Sequence, residues 1–535
     1  MSEFIKTIDV LGDDAVLDSI INRTITEFKD DVVETVGKHS FRGCAALRTV
    51  DIPNAKRVDQ EAFNGCTALV QMDCLSVERI ETNAFASVGL KRLVVPRLTY
   101  VNTTAFQMSA LESVEVPNLE GTARYVFQDC KYLTHVSAPK LPYIEIGVFS
   151  GCSALKEFDA SPDIYSIRNT SFANSGIEVL ILRNADSVAT LEDANAFTNT
   201  PIGSGNGRIF VPESQYYYYT RATNWSGLAA QLRGLFEDEV ILRGIIDGTI
   251  VHLNDNELET VPTRGFQDNQ KLLSVNLPRC TAIGDSAFLN CTAVKSVNIP
   301  QITNVPNLAF KQCASLETVD FPLVTSIGRD SFQNCTSLRE INFPLLQSVS
   351  GQNGYGGTFQ GCSALTTVNA PSINYIGVYG FEGCVSLEAL NCPLVTEMHS
   401  MSLARCTALK YVDVSSVTRL DGGVFMGDSA LERLDFRVLE TISMNNTFNG
   451  CSSLSELILR CDVLCTLNST SSFTGTPIAA GTGYIYVPRA LLSDTDATKD
   501  YRRATNWSNY ATQFRALEDY TVDGTITGEL DETKI

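Results

Sequence analysis

Residues 309–322 read Ala-Phe-Lys-Gln-Cys-Ala-Ser-Leu-Glu-Thr-Val-Asp-Phe-Pro, and residues 331–344 read Ser-Phe-Gln-Asn-Cys-Thr-Ser-Leu-Arg-Glu-Ile-Asn-Phe-Pro. Phe310, Cys313, Leu316, Val319, Phe321 and Pro322 answer one for one to Phe332, Cys335, Leu338, Ile341, Phe343 and Pro344. The same phase runs through most of the chain. Its phenylalanine falls at Phe41, Phe63, Phe85, Phe106, Phe127, Phe149, Phe172 and Phe197, then at Phe266, Phe288, Phe310, Phe332, Phe359, Phe381, Phe425, Phe448 and Phe473. Leu403 fills the one missing beat, and most intervals are 21 to 23 residues. Phe332 to Phe359 is longer because of a Gly-rich insert at Ser350–Gly357. A repeat this short cannot bury an apolar face alone, so its units must stack into a solenoid.

Each unit translates into structure. The run Leu-x-x-Val-x-Phe-Pro alternates apolar and outward residues and is β-branched, which predicts a short strand ended by proline. The Ala-Phe-x-x-Cys run predicts a helical or 3₁₀ turn on the opposite side. The expected fold is therefore an α/β solenoid built on a parallel β-sheet coil.

A longer repeat lies over the short one. Ile20–Ile25 aligns with Ile245–Ile250, and a truncated third copy begins at Val522. Arg221-Ala-Thr-Asn-Trp-Ser226 matches Arg503-Ala-Thr-Asn-Trp-Ser508. The organisation expected is an N-terminal acidic segment or cap over 1–24 and a first module with its C-terminal cap over 25–242. A second module with its cap follows over 243–520, then a C-terminal tail over 521–535. Leu228, Ala229, Leu232 and Leu235 after Trp225, and Tyr510, Ala511, Phe514 and Leu517 after Trp507, recur at helical spacing. They predict a hairpin and amphipathic-helix cap on each module. An aromatic ligand site at Trp225 and Trp507 is the competing reading.

Eleven of the sixteen cysteines share one repeat position: Cys44, Cys66, Cys130, Cys152, Cys291, Cys313, Cys335, Cys362, Cys384, Cys406 and Cys451. A recurring small core side chain explains them better than a disulfide framework. The chain has no Cys-x-x-Cys pair, and Cys461-x-x-x-Cys465 has no nearby histidine, so no metal is expected. His39, His135, His252 and His399 share no motif, and neither a phosphate loop nor a nucleophile elbow is present. The sequence thus points to a non-enzyme without catalytic residues or cofactors.

One outward column stands out. It reads Asp51, Asp73, Glu115 and Asp159 in the first module, then Asn276, Asn298, Asp320, Asn342, Asn369, Asn391, Asp413 and Asp435 in the second. Asn and Asp are poor strand formers, so their succession needs a cause. It predicts a stacked ladder of side-chain hydrogen bonds, a polar strip for binding a partner, or both. The adjoining column (Gln71, Arg92, His135, Glu157, Glu340, Tyr411, Arg433, Glu456) varies as a recognition surface would.

The net charge of −20 argues against nucleic acid, which needs clustered Lys and Arg. Residues 1–35 carry nine acids against three bases, and residues 516–535 six against one, so much of the excess lies at the ends. No apolar run is long enough to span a bilayer.

The unit Ala-Phe-x-x-Cys-x-x-Leu-x-x-Val-x-Phe-Pro resembles the BspA-like class of bacterial leucine-rich repeats over roughly residues 25 to 480, and the Ala-Thr-Asn-Trp-Ser endings are similar to those of the class. The resemblance implies a leucine-rich-repeat-type coil and an extracellular adhesion or recognition protein. Its partner would be a protein or glycan on a cell surface, and no catalytic residues come with the family. The start, Met1–Asp14, lacks the basic flank and apolar centre of a signal peptide. That leaves three explanations: a trimmed sequence, an intracellular protein, or a virion component released by lysis, such as a phage tail or receptor-binding protein; a purely structural spacer is the separate rival to recognition.

Overall fold

The repeat dictates a coil, and the computed structural model shows how each coil closes. It describes residues 14–349, 356–493, 496, 499–522 and 525–526. The chain divides into two compact units, Met1–Glu237 and Asp238–Ile535. The helix Glu239–Ile246 opens the second unit, with Asp238 accepting hydrogen bonds from the Val240 and Ile241 amides at 2.8 and 3.1 Å. The boundary expected near residue 242 falls inside this helix.

Every coil carries two short strands. The strand expected from Leu-x-x-Val-x-Phe-Pro is three residues long in most rungs, as at Thr49–Asp51 and Ser296–Asn298. It pairs in parallel with the same repeat positions of the next rung: Val50 opposite Met72 and Asp51 opposite Asp73, Val275 opposite Val297 and Asn276 opposite Asn298. After the proline corner a second, two-residue strand forms, as at Arg57–Val58 and Ser326–Ile327. This sheet has five strands in a row in the first unit and eight in the second. Each contributes one inward residue, mostly aliphatic, such as Val58, Ile80 or Ile327.

In most rungs the turn around the phenylalanine is not a helix, so the repeats are mainly β rather than α/β; the expected 3₁₀ turn forms at Ala194–Phe197 and Thr470–Phe473, in the last phenylalanine rung of each unit. The residues two before and two after the ring have left-handed backbone: Glu61 (φ 55°) and Gly65 (φ 77°) around Phe63, Ser286 (φ 58°) and Asn290 (φ 59°) around Phe288. Left-handed residues cannot continue a right-handed helix. They turn the peptide groups along the coil axis instead, so that the Phe63 amide donates to the Ala84 carbonyl at 2.8 Å and the Gly65 amide to Ala86 at 2.9 Å. A third hydrogen-bonded ladder thus replaces the intrahelical bonds, leaving the buried backbone satisfied.

The core is a set of columns. Phe41 to Phe197 form a stack with ring centroids 5.1–5.7 Å apart, and Phe266 to Phe381 repeat it at 5.3 Å. Leu403, fully buried, interrupts the second stack before Phe425. Beside it runs the cysteine column. The Cys66 thiol points to the Phe41 carbonyl at 3.1 Å and the Cys313 thiol to Phe288 at 3.1 Å, one rung back in each case. All sixteen cysteines are free thiols, and only Cys461 is not buried.

The ends of the units differ from the expected caps. After Trp225 comes a three-residue 3₁₀ turn, Ser226–Leu228, and then the strand Leu232–Gly234, parallel to Arg208–Val211. After Trp507 comes the kinked 3₁₀ segment Trp507–Gln513 and the strand Phe514–Ala516, parallel to Tyr484–Val487. Neither an amphipathic helix nor an antiparallel hairpin forms from these residues. An open sheet edge exposes unpaired N–H and C=O groups, and a further strand satisfies them where a helix would not. The insert residues 350–355 and the tail residues 527–535 lie outside the described residues.

Candidate functional site

The strand register places the twelve outward acidic and amide residues in one column per unit, and their surroundings divide them. In the second unit the Asn276 amide donates to Asn254 Oδ1 at 2.7 Å, and Asn298 to Asn276 at 2.8 Å. Asp320 interrupts this ladder, because a carboxylate has no N–H to pass on. It resumes where Asn369 donates to Asn342 at 2.7 Å. Asp320, Asn342, Asn369 and Asn391 are exposed. Asp413 turns back to accept from the Ser415 amide at 2.9 Å. Asp435 is held by Arg460 through both oxygens, at 2.7 and 2.9 Å, and by Arg433 at 2.9 Å.

In the first unit the same column is tied up in ion pairs across or between rungs. Lys29 meets Asp51 at 2.9 Å, Arg92 meets Glu115 at 2.9 Å, and Arg183 grips Asp159 through two bonds of 2.8 Å. Asp73 has one oxygen buried without a hydrogen-bond partner. In the adjoining column Gln71, Arg92, His135, Glu340 and Tyr411 are exposed, whereas Glu157, Arg433 and Glu456 are half-buried. Glu456 accepts from the Tyr520 hydroxyl at 2.7 Å.

The second sheet carries a feature that the sequence reading passed over. Its outward column in the first unit includes Arg57, Arg79, Tyr100, Gly121 and Tyr143. The Arg79 guanidinium lies 4.7 Å over the Tyr100 ring and that of Arg168 5.6 Å over Tyr143, while Tyr165 tilts against Tyr143 at 5.8 Å. Gly121 sits between the two rings. A Cβ there would come within 2.9 Å of the Tyr143 hydroxyl and 3.2 Å of Tyr100, so only glycine lets both rings fold in. Burial opposes the charge on Glu81 beneath this face, but hydrogen bonds from Asn102 and Arg79 keep its carboxyl below the usual range. Tyr and Arg at equivalent positions of successive rungs were the available signal. They were missed because the two-residue strand was not recognised as a second sheet.

The tryptophans are structural. Trp225 and Trp507 are fully buried. Trp225 Nε1 donates to the Ala189 carbonyl at 2.6 Å, while the Ala189 amide donates to the Tyr219 hydroxyl at 3.0 Å. Trp507 and Tyr501 clamp Cys465 in the same way, at 2.7 and 2.8 Å. Each pair satisfies one peptide group at the end of a unit. An indole with its donor engaged and its faces covered is closed to ligand.

The buried cysteines of the core column offer no nucleophile. Burial pushes the thiols up, Cys66 and Cys313 to about 12 and Cys130 to about 11, so they stay protonated. Asp428 occupies the cysteine position of its rung and is fully buried. Its Oδ1 accepts from the Cys406 amide at 2.8 Å, Oδ2 has no partner, and burial drives its carboxyl far above the usual range. Among the described residues, no group of three His, Cys, Asp or Glu side chains could hold a metal ion, and no helix is long and apolar enough to cross a membrane.

A family model for the BspA type leucine rich repeat region (6 copies) matches residues 21–134, 78–203, 250–354 and 355–476. The chain belongs to the BspA-type leucine-rich repeat family. Members of this family are usually surface-exposed, and leucine-rich repeats generally serve as non-enzymatic scaffolds that bind proteins. Among solved structures the BspA-type coil is similar to a leucine-rich repeat protein from Bacteroides ovatus, with 22% identity over 71% of this chain and 88% of that one and a TM-score of 0.33. It is also similar to a leucine rich cell surface protein from Faecalibacterium prausnitzii, with 22% identity over 66% and 79% and a TM-score of 0.25. A leucine-rich repeat protein from Eubacterium ventriosum shows 15% identity over 83% and 87%, with a TM-score of 0.22. No curated protein matches the chain in sequence.

Proposed function

We propose that this BspA-type solenoid is a non-enzymatic adhesion or recognition protein that binds a protein or glycan on a cell surface through the outward columns of its coils. The observation that carries this reading is where variation is allowed. Inward positions repeat Phe, Cys, Leu and Val or Ile from rung to rung and are buried almost without exception, while the outward column beside the acidic and amide residues runs Gln71, Arg92, Ser113, His135 and Glu157 over five successive rungs. A spacer would need only the first property. Along the face of the second unit that carries the first strand of each coil, the exposed run Asp320, Asn342, Asn369 and Asn391, with Glu340 and Tyr411 beside it, offers amide and carboxylate groups at one-rung intervals of about 4.8 Å. Such a surface gathers many weak polar contacts, each contributing about 1 kcal/mol or less net.

The test uses the full chain and arrays of extracellular proteins and glycans, with Asn342, Asn369 and Asn391 replaced together by Ala. At least a tenfold loss of affinity for the captured partner is expected. Undiminished binding by a variant with a lowered melting temperature would leave the column a purely structural role.

A further inference from the structure

The coil corner that follows each phenylalanine has one length in most rungs and is a residue shorter in a few. In full-length rungs the next core leucine lies six residues after the ring, as in Phe63 to Leu69 and Phe127 to Leu133. In the rungs of Phe85 and Phe106 it lies five residues on, at Leu90 and Leu111. Both rungs therefore cut the corner. Gly89 is drawn in until its amide donates to the Cys66 carbonyl at 3.2 Å, and a Cβ there would collide with the Thr67 carbonyl oxygen. Ala110 follows in the next rung, its amide 2.9 Å from the Val88 carbonyl. The two missing residues leave a recess of about 570 Å³ between full-length rungs, floored by Val88, Gly89, Ser109 and Ala110.

The side chains around this recess break the rules of their own columns. Tyr132 stands in a column where most rungs carry a small residue, such as Ala68, Ala154, Ala293 and Ser315, and only Lys271 is also large; Tyr132 is 64% exposed. Lys131 stands where other rungs carry Thr67, Ser153 or Thr292. Met108 has left-handed backbone (φ 56°) at a position where other rungs use Gly65, Gly151 or Asn290, and it is 59% exposed. Gln312 and Arg405 share that left-handed position in their rungs, so what sets Met108 apart is an exposed apolar side chain on it. These exceptions, together with Asp129, line the one recess.

Two charges at the recess are left unpaired. Elsewhere rung-to-rung pairs such as Lys91–Glu112 and Lys156–Glu178 close at 2.7 and 2.6 Å. The side chains of Asp129 and Lys131 make neither an ion pair nor a hydrogen bond, although both line the recess. The rungs of Phe172 and Phe197 are shortened too, but there Asn199 donates to Asn174 at 2.9 Å and the corner satisfies itself.

We propose that the recess binds the terminal residue of a neutral glycan, with Tyr132 and Met108 against the C–H face of the pyranose and Asp129 and Lys131 on its hydroxyls. The charge arrangement selects the class. An ionic ligand would gain one partner and meet a like charge, whereas a sugar hydroxyl donates to a carboxylate and accepts from an ammonium at once. An apolar surface with a few converging polar groups is the usual make-up of a small-ligand site. The open mouth suits the end of a chain rather than a free, enclosed metabolite. The assignment rests on the recognition reading above and names a ligand and a place for it.

The test screens the full chain against a neutral glycan array and measures saturation transfer from the best glycan. Three variants each install the residue that other rungs carry: Tyr132→Ala, Lys131→Ser and Met108→Gly. All three keep the wild-type melting temperature or raise it. Tyr132→Ala and Lys131→Ser lower glycan affinity at least tenfold. Glycan binding that survives Tyr132→Ala overturns the proposal. So does a chain that captures a protein through Tyr132 but no neutral glycan at millimolar concentration, an outcome that would keep the recognition reading and assign the recess to a peptide. Binding of neither sinks both.

Discussion

The two units share a core and differ in how they quiet their outward polar groups. In the first, the face that carries the first strand of each coil uses ion pairs such as Lys29–Asp51, Arg92–Glu115 and Arg183–Asp159, and the second sheet stacks Arg79 and Arg168 on tyrosines. In the second, the corresponding face uses amides that hand one hydrogen bond from rung to rung, from Asn254 to Asn298 and from Asn342 to Asn369. An inward column can repeat one residue indefinitely, because each ring or thiol rests on an identical neighbour. A carboxylate column cannot, because like charges one rung apart repel. It must either recruit cations or alternate with residues that both donate and accept. The same backbone therefore supports two surface chemistries at no cost to the core.

The largest effect tests the shared part. Phe106→Ala and Phe310→Ala should each destabilise their unit by about 3–5 kcal/mol in chemical denaturation, because both rings sit mid-stack and fully buried. A gap of more than about 2 kcal/mol between them, well beyond the usual scatter for one chemistry, would show that the two cores are not equivalent.

A smaller effect sits at Asp428, a carboxyl placed in the cysteine column of the core. The Asp428 carboxyl is held well above its ordinary range by burial, so the folded state keeps a proton that the unfolded chain releases. Its contribution is fully present below the ordinary carboxylate range and is lost as pH rises. Asp428→Asn keeps an oxygen for the Cys406 amide and has nothing to ionise. It should raise stability at pH 7 by on the order of 1–3 kcal/mol and flatten the decline between pH 4 and 7. Identical pH profiles for wild type and variant would mean that Asp428 is not protonated in the fold.

The smallest effect separates the surfaces themselves. Replacing Asn276 and Asn298 by Ala removes two ladder bonds and should cost about 1 kcal/mol per bond, with little dependence on salt. Replacing Arg92 and Arg183 by Gln should cost about 0–1 kcal/mol per pair at low salt, and less still at high salt, as screening erases exposed pairs. Melting curves of the two double variants and the wild-type chain at two ionic strengths would show it. Equal salt dependence for both sets would remove the distinction between the units.

Much of this was legible in residue types. The phase of Phe310, Cys313, Leu316 and Val319 gave the coil, its strand and the buried thiols, since a one-residue slip would put each on the wrong face. The amide ladder was legible from Asn276, Asn298, Asn342 and Asn369 in strand positions that disfavour them. The turn around the phenylalanine was not. Its left-handed residues include Glu61, Ser286, Leu308 and Met108 as well as glycines, and no single residue type announces that conformation. The caps were misread for a related reason. Leu228, Ala229, Leu232 and Leu235 fit a helical face, but the open edge of Arg208–Val211 needed a strand, and only the fold reveals that edge. The recess shows both halves. Two rungs one residue short and a tyrosine among alanines are written in the sequence, yet that Met108, Asp129, Lys131 and Tyr132 share one hollow depends on where the shortened backbone goes.

The sequence by itself determined the period, the inward columns and the pairing register, because these follow from local alternation repeated without a break. The tertiary structure alone decided which backbone groups each rung offers to the next, and therefore where helix gives way to ladder. It alone decided which outward side chains are consumed by their neighbours and which are left free to meet a partner.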